Sequence, residues 1–401
     1  MSTSTVIVVG GGVVGLSTAY RLAHKKAGRV IVLEKDQIGS GSSSRAAGIT
    51  TQLMWSDTGV RARQMGIKLF RELSNELAGY TYHDEHGCLN VFTPEQWSDR
   101  EKLLPIYDRL RTPYEILTGE EIRHRWPALQ SPDEFKALHD PLGGYSEPDE
   151  YLASLAQRLR EMEVEIVEGE SVSEFLLEGG RVVGVQTKTA RWPADAVVST
   201  VHVWSLALWS PLQLRFPMKS FVHQRYVTTP LAEPFVAPAV NADPYSGYVR
   251  PARGGRLLMG CETTDREEYR VTSPGFEMTE ISASPKVRDD CIARMVDFVP
   301  SLREAEWETE QVGLLSFSMD GEPILGPVSQ LPGLFVGASF HSGGFSYNTV
   351  AGQLLAEYVV EGETSIDVSD FSPQRFVGQD ENIERHLTDT VTQRHAVRRR
   401  H

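Results

Sequence analysis

Residues 5–23, TVIVVGGGVVGLSTAYRLA, restrict the fold more tightly than any other stretch of the chain. A β-branched run enters a glycine cluster and leaves it with apolar residues at helical spacing, at Val14, Ala19, Leu22 and Ala23. Gly10, Gly12 and Gly15 form a GxGxxG turn between the two. The first glycine permits a tight turn, the second lets a pyrophosphate approach the backbone, and the third lets helix and strand pack closely. Phosphates at such a turn meet free N–H groups where the helix dipole favours negative charge. A second strand, RVIVLEK, carries Glu34 nineteen residues past Gly15, placed to accept the ribose hydroxyls of an adenine nucleotide. An acid at that position argues against a 2′-phosphate. NAD and FAD are both open at this stage.

The chain has 401 residues, enough for two domains or one elaborated α/β unit. A net charge of −14 disfavours nucleic-acid binding. The basic run Arg398 to Arg400 reads as a solvated tail. Cys88, Cys261 and Cys291 are far apart and contain no CxxC pair, so neither a disulfide framework nor a zinc or other metal site is expected. The first apolar run is too short for a signal peptide and no window suggests a membrane span. A cytoplasmic protein is the expectation.

Beyond the second strand, SGSSSRAAGI over 40–49 is small and polar, with donors able to line a phosphate or a ring edge. A helix follows over about 58–78. YSEPDEYLASLAQRLREMEVEIVEGESV predicts a capped helix with Leu152, Leu155, Ala156 and Leu159 on one face, then a strand. A hairpin turning at Gly179 and Gly180 precedes a buried strand over Ala196 to Thr200. Residues 213–311 change to polar alternation with more proline and read as an inserted antiparallel sheet, with a helix over about 285–298. GLFVGAS then predicts a strand, SFHSGGFS a glycine turn, and NTVAGQLLAEYVV a helix. No internal repeat is visible, and only the tail after about 378 reads as disordered.

Taken together, GGGVVGL, the LEK strand end, SSSRAAGIT, DGEPILGP and FVGASFHSGGFSYNTVAGQLLAEYV resemble the D-amino acid oxidase superfamily of FAD-dependent oxidoreductases. The branch they look most like contains glycine oxidase, the sarcosine oxidase β-subunits and the dimethylglycine dehydrogenases. The resemblance covers residues 5–376 and implies FAD rather than NAD. It implies an α/β fold: a Rossmann-like FAD-binding domain of glutathione-reductase type, interrupted by a β-rich antiparallel substrate domain. The boundaries expected are 1–84, 146–212 and 312–377 for the first, 85–145 and 213–311 for the second, and a tail over 378–401.

By the same resemblance Gly10, Gly12, Val13, Val14, Gly15, Glu34 and Lys35 hold the ADP half. Ser42, Ser43, Ser44, Arg45, Ala46, Ala47, Gly48 and Ile49 run along the pyrophosphate and isoalloxazine, and Val172 lies near the adenine. Gly313, His341, Ser342, Gly343, Gly344, Phe345 and Ser346 approach the flavin ring. A helix starting at Gly344 directs its dipole at the flavin N1–C2 oxygen, where negative charge gathers on reduction. Relatives that attach FAD covalently use a cysteine at the position of Gly313 or a histidine at that of Arg45. Neither nucleophile is present, so the expectation is non-covalent FAD, with Arg45 suited to pair the pyrophosphate.

The familiar substrate clamps are replaced too. Leu315 stands for the arginine of a GLRP-like stretch, Ser346 for the lysine after the GF pair, and Leu258 for the lysine that promotes reaction with oxygen. The family's GAW-like turn reads His202, Val203, Trp204. The candidates to fill the gap are Tyr248 and His341, as catalytic and substrate-binding residues, and Arg250, His223, Arg225 and Ser346, with Tyr347 and Glu262 weaker. Arg250 shares a face with Tyr248 if both lie on one strand.

The implied reaction moves a hydride equivalent from a carbon bearing nitrogen to flavin N5, giving an imine. The substrate is a small amino acid or a secondary or N-methylated amine. A hydroxy-acid or alcohol dehydrogenase, with histidine as base, is one alternative. A flavoprotein regulatory subunit without turnover is the other. Whether oxygen or another electron-transfer acceptor reoxidises the flavin is not legible, nor is a partner subunit or homo-oligomer.

Overall fold

A computed structural model describes residues 4–261 and 268–389. Thr5–Val9, buried on both faces, is a central strand of a six-stranded sheet. Its order runs Ile324–Pro327, Leu334–Ala338, Ala196–Ser199, Thr5–Val9, Arg29–Leu33, Glu165–Val167. All pairings are parallel except that between Ile324–Pro327 and Leu334–Ala338. Near-continuous apolar runs such as VIVV fit this arrangement, because a parallel sheet is covered on both sides. Helices Val13–His24 and Gly344–Val360 pack together over one face, with Gly352 so close to Ser17 that a Cβ would come 2.5 Å from its carbonyl carbon. The chain therefore returns to its N-terminal unit after more than three hundred residues.

A nine-stranded sheet stands beside it. Its order is Phe340–His341, Trp307–Ser318, Met218–Thr228, Arg256–Cys261, Gly247–Ala252, Ala239–Ala242, Cys88–Phe92, Lys136–Asp140, Glu115–Thr118. The sheet is antiparallel, as expected, except that Ala239–Ala242 pairs parallel with Cys88–Phe92. The two strands come from segments far apart in sequence, so no hairpin fixes their direction.

The predicted helices form at Asp57–Glu76, Pro148–Glu161 and Pro285–Met295, and the hairpin joins Val172–Glu178 to Arg181–Thr187. Ser56 caps the first of these by accepting from the Gly59 amide. The helix predicted after the glycine turn begins at Gly344, inside that turn. In the stretch that reads as a tail, Asp380–Thr388 is a helix with Ile383 buried against the apolar side of the six-stranded sheet. No helix among the described residues is long and apolar enough to cross a membrane.

Candidate active site

One elongated cavity runs from the N-terminal glycine turn to the nine-stranded sheet. At its first end the backbone leaves no room for side chains. Gly10 adopts φ +106°, and a Cβ at Gly15 would lie 1.9 Å from the Gly10 carbonyl oxygen. Gly12 starts helix Val13–His24 without offering a side-chain cap, and the Val13 amide donates to Ser43 Oγ at 3.0 Å. Glu34 is buried at the strand end, where its carboxylate accepts from the Gly11 amide at 2.7 Å and the Asp36 amide at 3.0 Å. Burial pushes that carboxyl above its ordinary value, against the pull of the two amides. Lys35 lies over the ring of Trp204, 5.3 Å from its centroid.

The middle is walled by the loop 39–49 on one side and Gly313, Leu314 and Leu315 on the other. Arg45 donates to the carbonyls of Ser40 and Gly41, closing the loop on itself. Ser42 Oγ donates to the Leu314 carbonyl at 2.9 Å, and a Cβ on Gly313 would touch the Arg45 chain at 3.4 Å. Gly313 and Arg45 therefore meet within one wall of the cavity. His202 also reaches Leu314, with Nε2 3.0 Å from the carbonyl oxygen, and burial holds its imidazole below the ordinary value.

The far end gathers His223, Tyr248, Asn241, Asp243, His341 and Ser346. His223 Nε2 lies 2.8 Å from Tyr248 Oη, and the two rings stack at 5.5 Å. Tyr248 lies flat over Gly260, where a Cβ would fall 2.0 Å from its Cζ and Oη. Burial raises that phenol above its ordinary value. His341 takes φ +48°, and its Nδ1 accepts from the Gly343 amide at 3.2 Å, so the neutral ring carries its proton on Nε2. Trp55 is tilted against it at 5.0 Å. Ser346 Oγ donates to the Ile49 carbonyl, tying the start of helix Gly344–Val360 to the opposite loop. Gly344 and Phe345 complete this wall, so the helix N-terminus opens on the cavity.

The structure thus gathers most residues singled out in the sequence. Gly10, Gly12, Val13, Val14, Glu34, Lys35, Ser42, Ser43, Arg45 to Ile49, Val172 and Gly313 line the cavity together with His223, Tyr248, His341, Ser342 and Gly344 to Ser346. Gly15, Ser44, Gly343, Tyr347, Arg225 and Arg250 do not. Gly15 and Gly343 act through the backbone. Tyr347 is turned inward against Arg63. The two arginines expected at the substrate are committed elsewhere. Arg250, fully buried, makes a two-pronged ion pair with Glu147 at 2.9 Å each and donates to the Ala47 carbonyl. Arg225 donates to the Ala46 carbonyl at 2.9 Å and to Gln311. Both hold the loop 39–49 from the nine-stranded sheet. Glu262 lies outside the described residues. Sequence reasoning missed Thr200, Asn241, Asp243 and Ser246, whose only signal is proximity across the fold, and gave Trp204 no role although its turn stood out.

Two glycine turns, a buried acid at one end and an open helix N-terminus at the other fit an extended two-part nucleotide. Comparison with known proteins agrees. The chain is 27% identical over 94% of its length to 4-methylaminobutanoate oxidase (formaldehyde-forming) of Paenarthrobacter nicotinovorans, covering 46% of that protein. It is 28% identical over 93% of its length to glycine oxidase of Geobacillus kaustophilus, covering 97% of it. Its fold matches L-proline dehydrogenase from P. horikoshii with a TM-score of 0.84 at 23% identity, over 94% of this chain and 98% of that one. The chain spans a little under half the length of the first curated relatives it matches. The family model for FAD dependent oxidoreductases of the DAO type matches residues 5–358, and the chain belongs to that family, with FAD as its cofactor.

Proposed function

We propose that the chain oxidises a C–N bond of a small amino acid or of a secondary or N-methylated amine, giving an imine. The observation that carries this reading is the far end of the cavity. There the hydrogen-bonded His223–Tyr248 pair, Asn241 and His341 converge beside the N-terminus of helix Gly344–Val360. We assign FAD binding to the unit built on the six-stranded sheet, over 1–84, 146–212 and 312–377. Substrate binding goes to 85–145 and 213–311. Gly10, Gly12, Ser43 and Glu34 hold the ADP half, and the loop 42–49 with Gly313 and Gly344 borders the ring.

When bound, the flavin supplies the two-electron acceptor for a carbon next to nitrogen. Everything else falls to the chain. Tyr248 and His223 share one proton across 2.8 Å and accept the ammonium proton, leaving the neutral amine. His341 presents Nε2–H, its orientation fixed by the Gly343 amide. Asn241 and the walls Leu315 and Phe340 orient the substrate and exclude water. Neither Gly313 nor Arg45 can form a bond to the cofactor, which supports non-covalent FAD.

The test is anaerobic mixing of the purified yellow protein with a panel of amino acids, N-methyl amines and hydroxy acids, following the flavin absorbance. Bleaching by amines supports the proposal. Bleaching by hydroxy acids alone, or by nothing in the panel, refutes it. Acid precipitation is expected to release the flavin into the supernatant.

A further inference from the structure

Arg63 lies on helix Asp57–Glu76 and is fully buried. None of Nε, Nη1 or Nη2 completes a hydrogen bond among the described residues. Tyr347 packs on it, with its ring centroid 4.2 Å from the guanidinium carbon, and its phenol is the neighbour that acts most on the guanidinium's charge. Burial pushes the guanidinium below its ordinary value, against the pull of Tyr347, Cys88 and Tyr82. Two buried acids lie in this region, and Glu322 acts on the Tyr347 phenol without a bidentate contact to the guanidinium. Asp140 accepts from Thr51, Gln52, Leu142 and Gly143, and Glu322 accepts from Trp55. A buried guanidinium without a counter-charge is costly, so its retention calls for a compensating negative group.

The location supplies one. A Cβ on Gly343 would lie 2.9 Å from Arg63 Nη2 and 2.8 Å from His341 Cε1. Gly343 caps helix Gly344–Val360, whose Gly344 and Ser346 line the cavity. The positive charge therefore stands one residue behind the cavity wall, at the end where the helix dipole is already positive. In a water-poor interior such a charge acts over several ångströms with little screening.

We propose that Arg63 is a positioning charge: it makes the Gly343–Ser346 end of the cavity favour the negatively charged reduced flavin over the oxidised one. This sets the reduction potential of the cofactor. It rests on the family's FAD and is independent of which substrate reacts.

The test uses Arg63→Met, Arg63→Gln and Arg63→Lys in the FAD-loaded protein, with FAD content measured first. A wild type without yellow flavin would be a failure of the cofactor reading, distinct from a failure of the charge proposal. Both neutral variants are expected to lose about tenfold or more of the preference for reduced flavin, about 30 mV in midpoint potential for a two-electron couple. Sulfite, which adds reversibly to leave the flavin negatively charged, should bind about tenfold more weakly to them, on the same electrostatic argument. The lysine variant should stay near wild type. Unchanged potentials in the neutral variants overturn the proposal, and so does an equal fall in all three, which would mark a packing role. Should the neutral variants not fold, the wild type alone decides: failure to take up sulfite at any soluble concentration overturns it.

Discussion

Tyr248 is held in place by the absence of a side chain opposite it. Its ring occupies the space over Gly260, and its hydroxyl meets His223. Gly260→Ala must therefore push the ring off its partner. The expected outcome is a large rise in KM with flavin content unchanged, read by steady-state kinetics and the visible spectrum. Tyr248→Phe keeps the ring and removes the shared proton, so kcat should fall about a hundredfold or more, the scale of general acid–base catalysis. An unchanged kcat would remove Tyr248 from the chemistry. At the other end, Glu34→Ala deletes a buried charged acceptor of two amide N–H groups. Hydrogen bonds to charged groups contribute about 1.5–3 kcal/mol, so FAD affinity should drop about 10- to 100-fold, measured by titrating apoprotein with FAD.

At the scale of elements, the loop 42–49 is set by contacts from three directions. Ser43 meets the first helix, Ser42 reaches the strand Trp307–Ser318, and Arg225 and Arg250 hold the Ala46 and Ala47 carbonyls. Glu147 fixes Arg250 in turn. Burial alone would raise the Glu147 carboxyl, but Arg250 and the Arg253 amide bring it below its ordinary value. The unfolded chain therefore binds that proton more readily than the folded one. The stability Glu147 contributes is present above the ordinary carboxylate range and is lost as pH falls through its lower folded value. Acid below the ordinary carboxylate range should thus loosen the clamp and release FAD. Glu147→Gln should weaken the fold by about 3–5 kcal/mol, since it leaves Arg250 buried without its partner, and should flatten that part of the acid transition. Denaturant unfolding at several pH values checks both.

The glycine turn, the hairpin at Gly179 and Gly180, and the helices were legible because each depends on neighbours within a few residues. Arg250 was not. Tyr248 and Arg250 do share a strand, yet the direction taken by a long guanidinium depends on Glu147, about a hundred residues away. The parallel pairing of Ala239–Ala242 with Cys88–Phe92 was hidden for the same reason. Arg63 has no motif at all. Inside an amphipathic helix it reads as one more surface cation until Tyr347 and Gly343 close over it.

Over the whole molecule, the cavity joins two sheets that meet along Phe340–His341, a strand of the nine-stranded sheet that leads directly into helix Gly344–Val360. Any strain at His341 is therefore felt by both sheets. The wall where Gly313 rests on Arg45 bears on the protein's life in the cell. Where FAD is held without a covalent bond, as proposed above, occupancy is an equilibrium with the surrounding pool of FAD. A ligand that binds only the folded state at a hundred times its Kd adds about 2.7 kcal/mol to stability. The melting temperature should climb with added FAD and fall on dialysis. A protein held in this way is expected to lose stability wherever free flavin is scarce.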